Sequence, residues 1–439
     1  MALWRNKLCE LAIQLHSPCA LAYARLGMHL YRGTRKDLIQ HQQQEIQKLL
    51  KYAAEHTAYY REVFQGKELS LKTVPILTKN ILRERFGDLC SDETVLRHAY
   101  ENTSGGSTGE PVRFLQDREY FDKNVGNKIL YGLLNNKYPG DKEIKLWGSE
   151  RDILQGSIGW KEKLTNYLYN RILLNSFVMS PEDMKNYLAI INKQKPQQIW
   201  AYADSIYALA QYAIENDICM YNPPCIMTTA GVLYDDMRKT IQKCFPQSYI
   251  CNQYGSREVG AIGTEVAGLS GIRVFDHAVY LEVVDEVTGD IRQEGTGRIL
   301  VTCLTNYVMP LIRFDIGDIG TLTKDVKERE GAFSILEELH GRVNSHIKRK
   351  DGSLIHGEYF THLFYGKQWI KLFQVIQEDY DRFTFRIVIK EKMRPEKIDL
   401  EQIENDAKAV VPEAKISIEY VEEIPRLQSG KYQFVISKV

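Results

Sequence analysis

The chain has 439 residues, 44% of them hydrophobic and 26% charged, which is ordinary for a globular protein and suggests two or three domains. Lysine plus arginine total 57 and aspartate plus glutamate total 57, so no net charge argues for a nucleic-acid partner. Eight cysteines lie at positions 9, 19, 90, 219, 225, 244, 251 and 303 without a Cys-x-x-Cys pair, which signals neither a zinc knuckle nor a redox pair; with no clear secretion signal, reduced thiols and a cytoplasmic location are expected.

Leu8–Tyr31 is rich in leucine, alanine and aromatics, but Glu10, Gln14, His16, Pro18 and Arg25 interrupt it. It lacks the run of about twenty apolar residues that a membrane span needs. Residues 1–34 read as a helical segment with two uses. One is packing on its own domain or on a partner, which the pattern favours. The other is peripheral contact with the inner face of the membrane. Every candidate chemical residue lies after position 100, so removing about the first thirty residues is expected to spare the chemistry.

Arg35–Phe64 carries Leu38, Ile46, Leu49, Leu50 and Ala53 at helical spacing, and Pro75–Arg85 reads as a turn and short helix. Thr103-Ser104-Gly105-Gly106-Ser107-Thr108-Gly109-Glu110-Pro111 follows, then Val112–Gln116, which alternates like a strand. Glycines let the backbone approach a ligand, and successive N–H groups with Ser/Thr hydroxyls form an anion-binding nest. A strand–loop–strand that holds a polyphosphate is the functional reading; a polar surface turn is the plain one. Glu110 stands where a P-loop needs lysine. Gly105-Gly106-Ser107-Thr108-Gly109 fits the nucleophile elbow of serine hydrolases, but Pro111 and the strand-like run oppose the helix that must follow.

Glu119–Leu134 reads as a helix and Ile144–Gly148 as a strand. Ser180-Pro181-Glu182-Asp183 has the residues of a capping box, and Met184, Tyr187, Leu188 and Ile191 mark a buried face. Ile199–Tyr202 and Met227–Gly231 read as strands, with helices from Asp204 to Ile214 and over Asp235–Cys244. This alternation implies a largely parallel α/β sheet. Beyond about residue 270, Val279–Val284, Arg298–Cys303 and Leu311–Phe314 form a β-rich subdomain. From Gly341 a small α+β domain is expected: a hairpin over Ile347–Lys350 and Ser353–His356, strands Ile370–Gln377, Phe383–Lys390 and Lys415–Tyr420, and a capped helix Pro395–Val410. The expected domains are 1–340 and 341–439.

Four further motifs accompany the glycine loop: Tyr254-Gly255-Ser256-Arg257-Glu258, Arg313-Phe314-Asp315-Ile316-Gly317-Asp318, Gly341-Arg342, and Ser429-Gly430-Lys431. Each is weak singly, but their order and spacing are specific. Over roughly residues 70–439 the chain resembles the adenylate-forming (acyl-CoA ligase-like) superfamily, its phenylacetate–CoA ligase-like branch, and most of all the capsular polysaccharide biosynthesis (CapK-like) group.

The resemblance implies ATP phosphates on Ser107, Thr108 and Gly109. It places Tyr254 and Gly255 by the adenine, Glu258 on Mg²⁺, and Asp318 on the ribose hydroxyls. Arg342 lies near the nucleotide, and Lys431 completes adenylation from a small domain that rotates. The implied activity is that of an AMP-forming ligase. It joins a small carboxylic acid to AMP and then passes the acyl group to a thiol, coenzyme A among them, or to an amine, in capsule or surface polysaccharide synthesis.

Four departures are visible. Val112 replaces a common lysine, with Arg113 beside it; Asn344 stands at the hinge position; Gly231 lies in a turn where many relatives have a glutamate nearby; and Val266 replaces a zinc-site cysteine, so no zinc is expected. Val112, Asn344 and the Gly231 turn suggest a rival to the ligase reading, a nucleotide-binding but inactive scaffold for glycan assembly. His277 and His340 lack a spaced metal partner and read as structural or surface residues. Trp200, Tyr202 and Ser205 line either an acyl pocket or the core.

Overall fold

The computed structural model describes the chain except residues 1, 104–111, 148–159, 177–178, 232, 328–329, 343–345, 351–353, 357–358, 361–362, 365–366 and 426–432. It divides into two compact units, Met1–Leu339 and His340–Val439.

The first unit opens with helices α1 (Ala2–His16), α2 (Ala20–Arg32), α3 (Arg35–His56) and α4 (Ala58–Phe64). The single helix expected over 35–64 is broken at Thr57. Its extended backbone ends α3, and its hydroxyl accepts from the Tyr60 amide to cap α4. Short helices α5 (Lys79–Glu84) and α6 (Phe86–Leu89) lead to strands β1 (Tyr100–Thr103) and β2 (Arg113–Gln116). These strands pair antiparallel, Thr103 opposite Arg113, on either side of the glycine-rich segment. Helix α7 (Arg118–Leu134) starts at Asp117, whose carboxylate accepts from the Tyr120 amide.

The N-terminal segment is built into its own unit. On α2, Ala20, Leu21, Ala24, Gly27 and Leu30 are buried, and α2 packs along α7. Glycines permit the approach: a Cβ on Gly27 would lie 2.6 Å from Leu130, and one on Gly126 would lie 2.6 Å from the Ala20 carbonyl oxygen. The Tyr23 hydroxyl donates to the His277 carbonyl, and Arg35 reaches Asp276 and Ser334. The favoured reading of residues 1–34, packing on their own domain, is the one the structure shows, and their apolar face closes the core.

The parallel sheet comprises β3 (Glu143–Trp147), β4 (Arg171–Asn175), β5 (Gln198–Tyr202), β6 (Cys225–Thr229) and β7 (Tyr249–Ser256). Helices α8 (Trp160–Leu168), α9 (Pro181–Gln194), α10 (Ala203–Glu215) and α11 (Asp235–Cys244) connect or precede these strands. The α9 capping box at Ser180 and Asp183 forms as its sequence requires. All of β5 is buried, as expected of a strand covered on both faces. Ile199 and Ala201 pack with Ile206, Leu209 and Ile241, while Trp200 meets Leu130 and Tyr131 on the opposite face.

The β-rich region contains β8 (Gly260–Glu265), β9 (Ile272–Val274), β10 (Val279–Val284), β11 (Ile291–Arg292), β12 (Gly295–Cys303), β13 (Phe314–Thr323) and β14 (Ile335–Arg342). Among the described residues it continues the first sheet through the antiparallel β7–β8 pair. The order is β11-β10-β12-β13-β14-β9-β8-β7-β6-β5-β3-β4. The strand expected over 311–314 instead begins at Phe314. Arg313 has φ 52°, turned out of the ladder, while its guanidinium pairs with Glu282 at 2.8 and 2.9 Å.

In the second unit, β15 (His346–Lys348) and β16 (Leu354–His356) form a hairpin. A four-stranded sheet follows the order β19-β18-β17-β20, with β17 (Ile370–Asp379), β18 (Arg382–Ile389), β19 (Lys415–Tyr420) and β20 (Val435–Ser437). Helix α12 (Lys397–Val410) buries Ile403 and Ala407 in a core with Trp369, Phe373 and Phe385. Its expected side-chain cap is absent: Glu396 stands at the N-cap without a capping hydrogen bond. No helix among the described residues is long and apolar enough to cross a membrane.

Candidate nucleotide site

The end of β7 carries the Tyr-Gly motif. Tyr254 is buried, and its hydroxyl donates to Asp318 Oδ2 on β13 at 2.8 Å, joining residues 64 positions apart. The register of β7 and β8 shifts between Tyr254 and Gly255. A Cβ on Gly255 would lie 2.5 Å from the Gly260 carbonyl oxygen, so this close passage requires glycine.

The turn after β7 presents Glu258, 7% exposed. This turn is tied to both of the strands that enclose the glycine-rich segment. Gln116 Nε2 donates to the carbonyl oxygens of Arg257 (2.7 Å) and Glu258 (3.4 Å), while Arg257 Nη1 donates to the Thr103 carbonyl (3.3 Å). Thr103, beside the glycine-rich segment, and Gln116, at the far end of β2 opposite Tyr100, thus both bond to the Tyr254–Glu258 turn. Ser107, Thr108 and Gly109 lie outside the described residues, as does Lys431. Arg342 is the last residue of β14, and its side chain is likewise outside the described set.

The two carboxylates of the Arg313–Asp318 stretch have different surroundings. Asp315 pairs with Arg298, whereas Asp318 faces Tyr254. Arg313 and Glu282 form a buried bidentate pair, and removing one partner would leave an uncompensated charge. Val112 is a core residue. Arg113 is exposed, 3.6 Å from Glu101 and stacked over Phe86.

Ligands of open parallel sheets bind beyond the carboxyl ends of the strands, at the point where strand order reverses. Here that point lies between β3 and β5, whose last residues, Trp147 and Tyr202, have ring centroids 4.4 Å apart. Trp200 belongs to a core cluster, and neither its Nε1 nor Ser205 Oγ has a hydrogen-bond partner among the described residues. Beyond β6, Ala230 has φ 70°, a strained conformation for a residue with a side chain. Asp204 Oδ1 lies 3.0 Å from where a Cβ on Gly231 would sit. A carboxylate from α10 therefore reaches the turn at Gly231. Sequence spacing marked Asp204 only as the start of a helix; its role in this turn depends on the neighbouring strand.

His277 is a core residue. Its Nε2 donates to Asn127 Oδ1 at 3.0 Å, its ring stacks on Phe333, and burial lowers its pKa to about 3. Beside Val266 in the core, Glu265 accepts two hydrogen bonds from Arg238, at 2.8 and 2.9 Å. Among the described residues no group of three or more His, Cys, Asp or Glu side chains could hold a metal ion. Mg²⁺ needs no such group, because it commonly takes one or two carboxylates together with substrate phosphates and water. Glu258 fits that donor set: its carboxylate forms no hydrogen bond or ion pair with a described residue.

This architecture, a large α/β unit followed by a small α+β unit, matches the fold of solved adenylate-forming ligases. A 2-hydroxyisobutyryl-CoA ligase, solved in the postadenylation state with R3-HIB-AMP, has the same fold, with TM-score 0.67 and 18% identity over 90% of this chain and 88% of that one. The amide bond synthetase McbA from Marinactinospora thermotolerans matches with TM-score 0.51 and 14% identity, over 74% of this chain and 65% of its own. Residues 347–438 match the CapK C-terminal domain family. The chain is also 23% identical to Protein CapK of Staphylococcus aureus over 435 residues, covering 94% of both chains. Its resemblance is thus to the CapK-like adenylate-forming group, as its motifs indicate.

Proposed function

We propose that this protein is an AMP-forming ligase that joins a carboxylic acid to the α-phosphate of ATP, releases pyrophosphate and passes the acyl group to a thiol or amine acceptor. The observation that supports the reading is the convergence of three distant motifs: Tyr254 on Asp318, and the two strands around the glycine-rich segment, through Thr103 and Gln116, on the turn bearing Glu258. Ser107, Thr108 and Gly109 hold the phosphates through backbone and hydroxyl donors. Tyr254 and Gly255 bound the adenine, Asp318 accepts from the ribose hydroxyls, and Arg342 lies beside the nucleotide. Glu258 holds Mg²⁺, which when bound offsets charge on the leaving pyrophosphate. Lys431 supplies a compact ammonium between carboxylate and α-phosphate.

The solved relatives include complexes with acyl-AMP and CoA, which supports a thiol acceptor; the similarity to CapK supports a role in capsular or surface polysaccharide synthesis. Catalysis of this kind rests on positioning and electrostatics. The test is ATP–pyrophosphate exchange across a panel of carboxylic acids that includes sugar acids and amino acids. Acid-dependent exchange is expected. Nucleotide binding without exchange for any acid would leave the rival scaffold reading.

A further inference from the structure

A cavity of about 520 Å³ opens between α3, the turn at Ser70–Lys72 and the strands β10 and β13. None of the residues assigned to the nucleotide lines it. Its arginines are already neutralised. Arg313 is held by both oxygens of Glu282, and Arg35 by Asp276. The remaining Asp276 bonds go to Gln42 and to the amide and hydroxyl of Ser334.

Lys324 differs. Its ammonium lies 4.1 Å from the centroid of the Tyr280 ring, and no described carboxylate lies within ion-pair distance. Burial lowers its pKa, although Asp276 and Glu282 partly oppose that shift from a distance. A half-buried cation whose near companion among the described residues is a ring face, with the carboxylates of Asp276, Glu282 and Glu294 beyond ion-pair distance, is incompletely compensated. Lys72 adds a second ammonium at the rim.

The mouth is lined by amides. Gln43 and Gln47 stand one turn apart on α3, and Gln293 also lines the cavity; all three are exposed. A carboxamide offers a donor and an acceptor side by side, the pairing that adjacent hydroxyls require. The volume falls within the range of small-molecule sites.

We propose that this cavity binds a small hydroxylated phosphate of the sugar-phosphate class, with its phosphate on Lys324 and Lys72 and its hydroxyls on Gln43, Gln47 and Gln293. This site is separate from the proposed adenylating centre and does not depend on that activity.

The test is isothermal titration of the full chain with glucose 1-phosphate, with glucose and inorganic phosphate as comparison probes. Lys324→Met should weaken glucose 1-phosphate at least tenfold, and Lys324→Arg should retain affinity within about threefold. Gln43→Ala combined with Gln47→Ala should weaken glucose 1-phosphate at least threefold while leaving inorganic phosphate unchanged. Asp318→Ala should leave the probe's affinity unchanged, which separates this site from the nucleotide site. No binding by the wild type at millimolar probe, equal binding by Lys324→Met, or loss in Lys324→Arg would each overturn the site. Inorganic phosphate binding as tightly as glucose 1-phosphate, with the glutamine variant affecting neither, would overturn the ligand class. Loss of the probe in Asp318→Ala would assign it to the other centre and overturn the proposal.

Discussion

Asp318→Ala separates the proposed ribose contact from a fold contact. In the structure the carboxylate accepts from the Tyr254 hydroxyl at 2.8 Å, in a site where both residues are less than a tenth exposed. A hydrogen bond to a charged group contributes about 1.5–3 kcal/mol. If Asp318 accepts from ribose, the alanine variant should bind ATP roughly 10- to 150-fold more weakly. The same substitution deprives the Tyr254 hydroxyl of this partner and lowers stability, so the two effects must be read apart. Tyr254→Phe provides the comparison. It removes the hydroxyl but keeps the ring and the carboxylate, and should cost about 1–3 kcal/mol of stability while weakening ATP less than Asp318→Ala does. Affinity is read by isothermal titration and stability by thermal unfolding of the same preparations. Unchanged ATP affinity in Asp318→Ala would refute the ribose assignment and leave the aspartate as Tyr254's structural partner. Equal ATP losses in both variants would show that the effect passes through the fold.

Lys431→Ala should lower the adenylation rate by about 10²–10³-fold with little change in ATP affinity, while acyl transfer from preformed acyl-adenylate survives better; equal loss of both half-reactions would remove the lysine's proposed role. Gly27→Val should lower the thermal midpoint, because its Cβ would already lie 2.6 Å from Leu130 and 2.8 Å from His277, and such overpacking costs about 1–3 kcal/mol; an unchanged midpoint would show that the α2–α7 contact yields freely. Deleting residues 1–33 should abolish cooperative unfolding of the first unit, and a soluble truncated chain with a sharp transition would contradict that packing. The pKa of His277 is lowered to about 3 from 6.5, so the unfolded chain binds the proton first as pH falls, and stability declines from about pH 6.5 downward. Between pH 6.5 and 5 this one group should remove about 2 kcal/mol; urea unfolding should show the slope in wild type and a shallower one in His277→Gln, and equal slopes would refute the assignment.

Much of the local structure was legible because its causes are short-range. The capping box at Ser180 and Asp183, the buried face of α9 and the alternation of strands with helices each arise within a few residues. The resemblance rested on the order of short motifs, which the chain itself displays. Other features depended on distant partners. Thr57 divides the expected first long helix because its hydroxyl caps α4. Arg313 leaves the strand pattern, with a buried Glu282 31 positions away holding its guanidinium. The leucine- and alanine-rich start suited a protein core better than a membrane surface but left open which protein face covers it, since periodicity identifies an apolar face without identifying its partner. Glycines on α2 and α7, together with the anchors from Tyr23 and Arg35, determine that its own unit covers it.

What the sequence by itself determined is therefore the kinds of element, their order, and the motif residues suited to nucleotide chemistry. Only the tertiary structure placed Tyr254 on Asp318, Thr103 and Gln116 on the Glu258 turn, and Asp204 beside Gly231. The reason is physical. Caps and periodicity follow from neighbouring residues, whereas these meetings follow from sheet order and register, fixed by the combined packing of residues far apart in the chain.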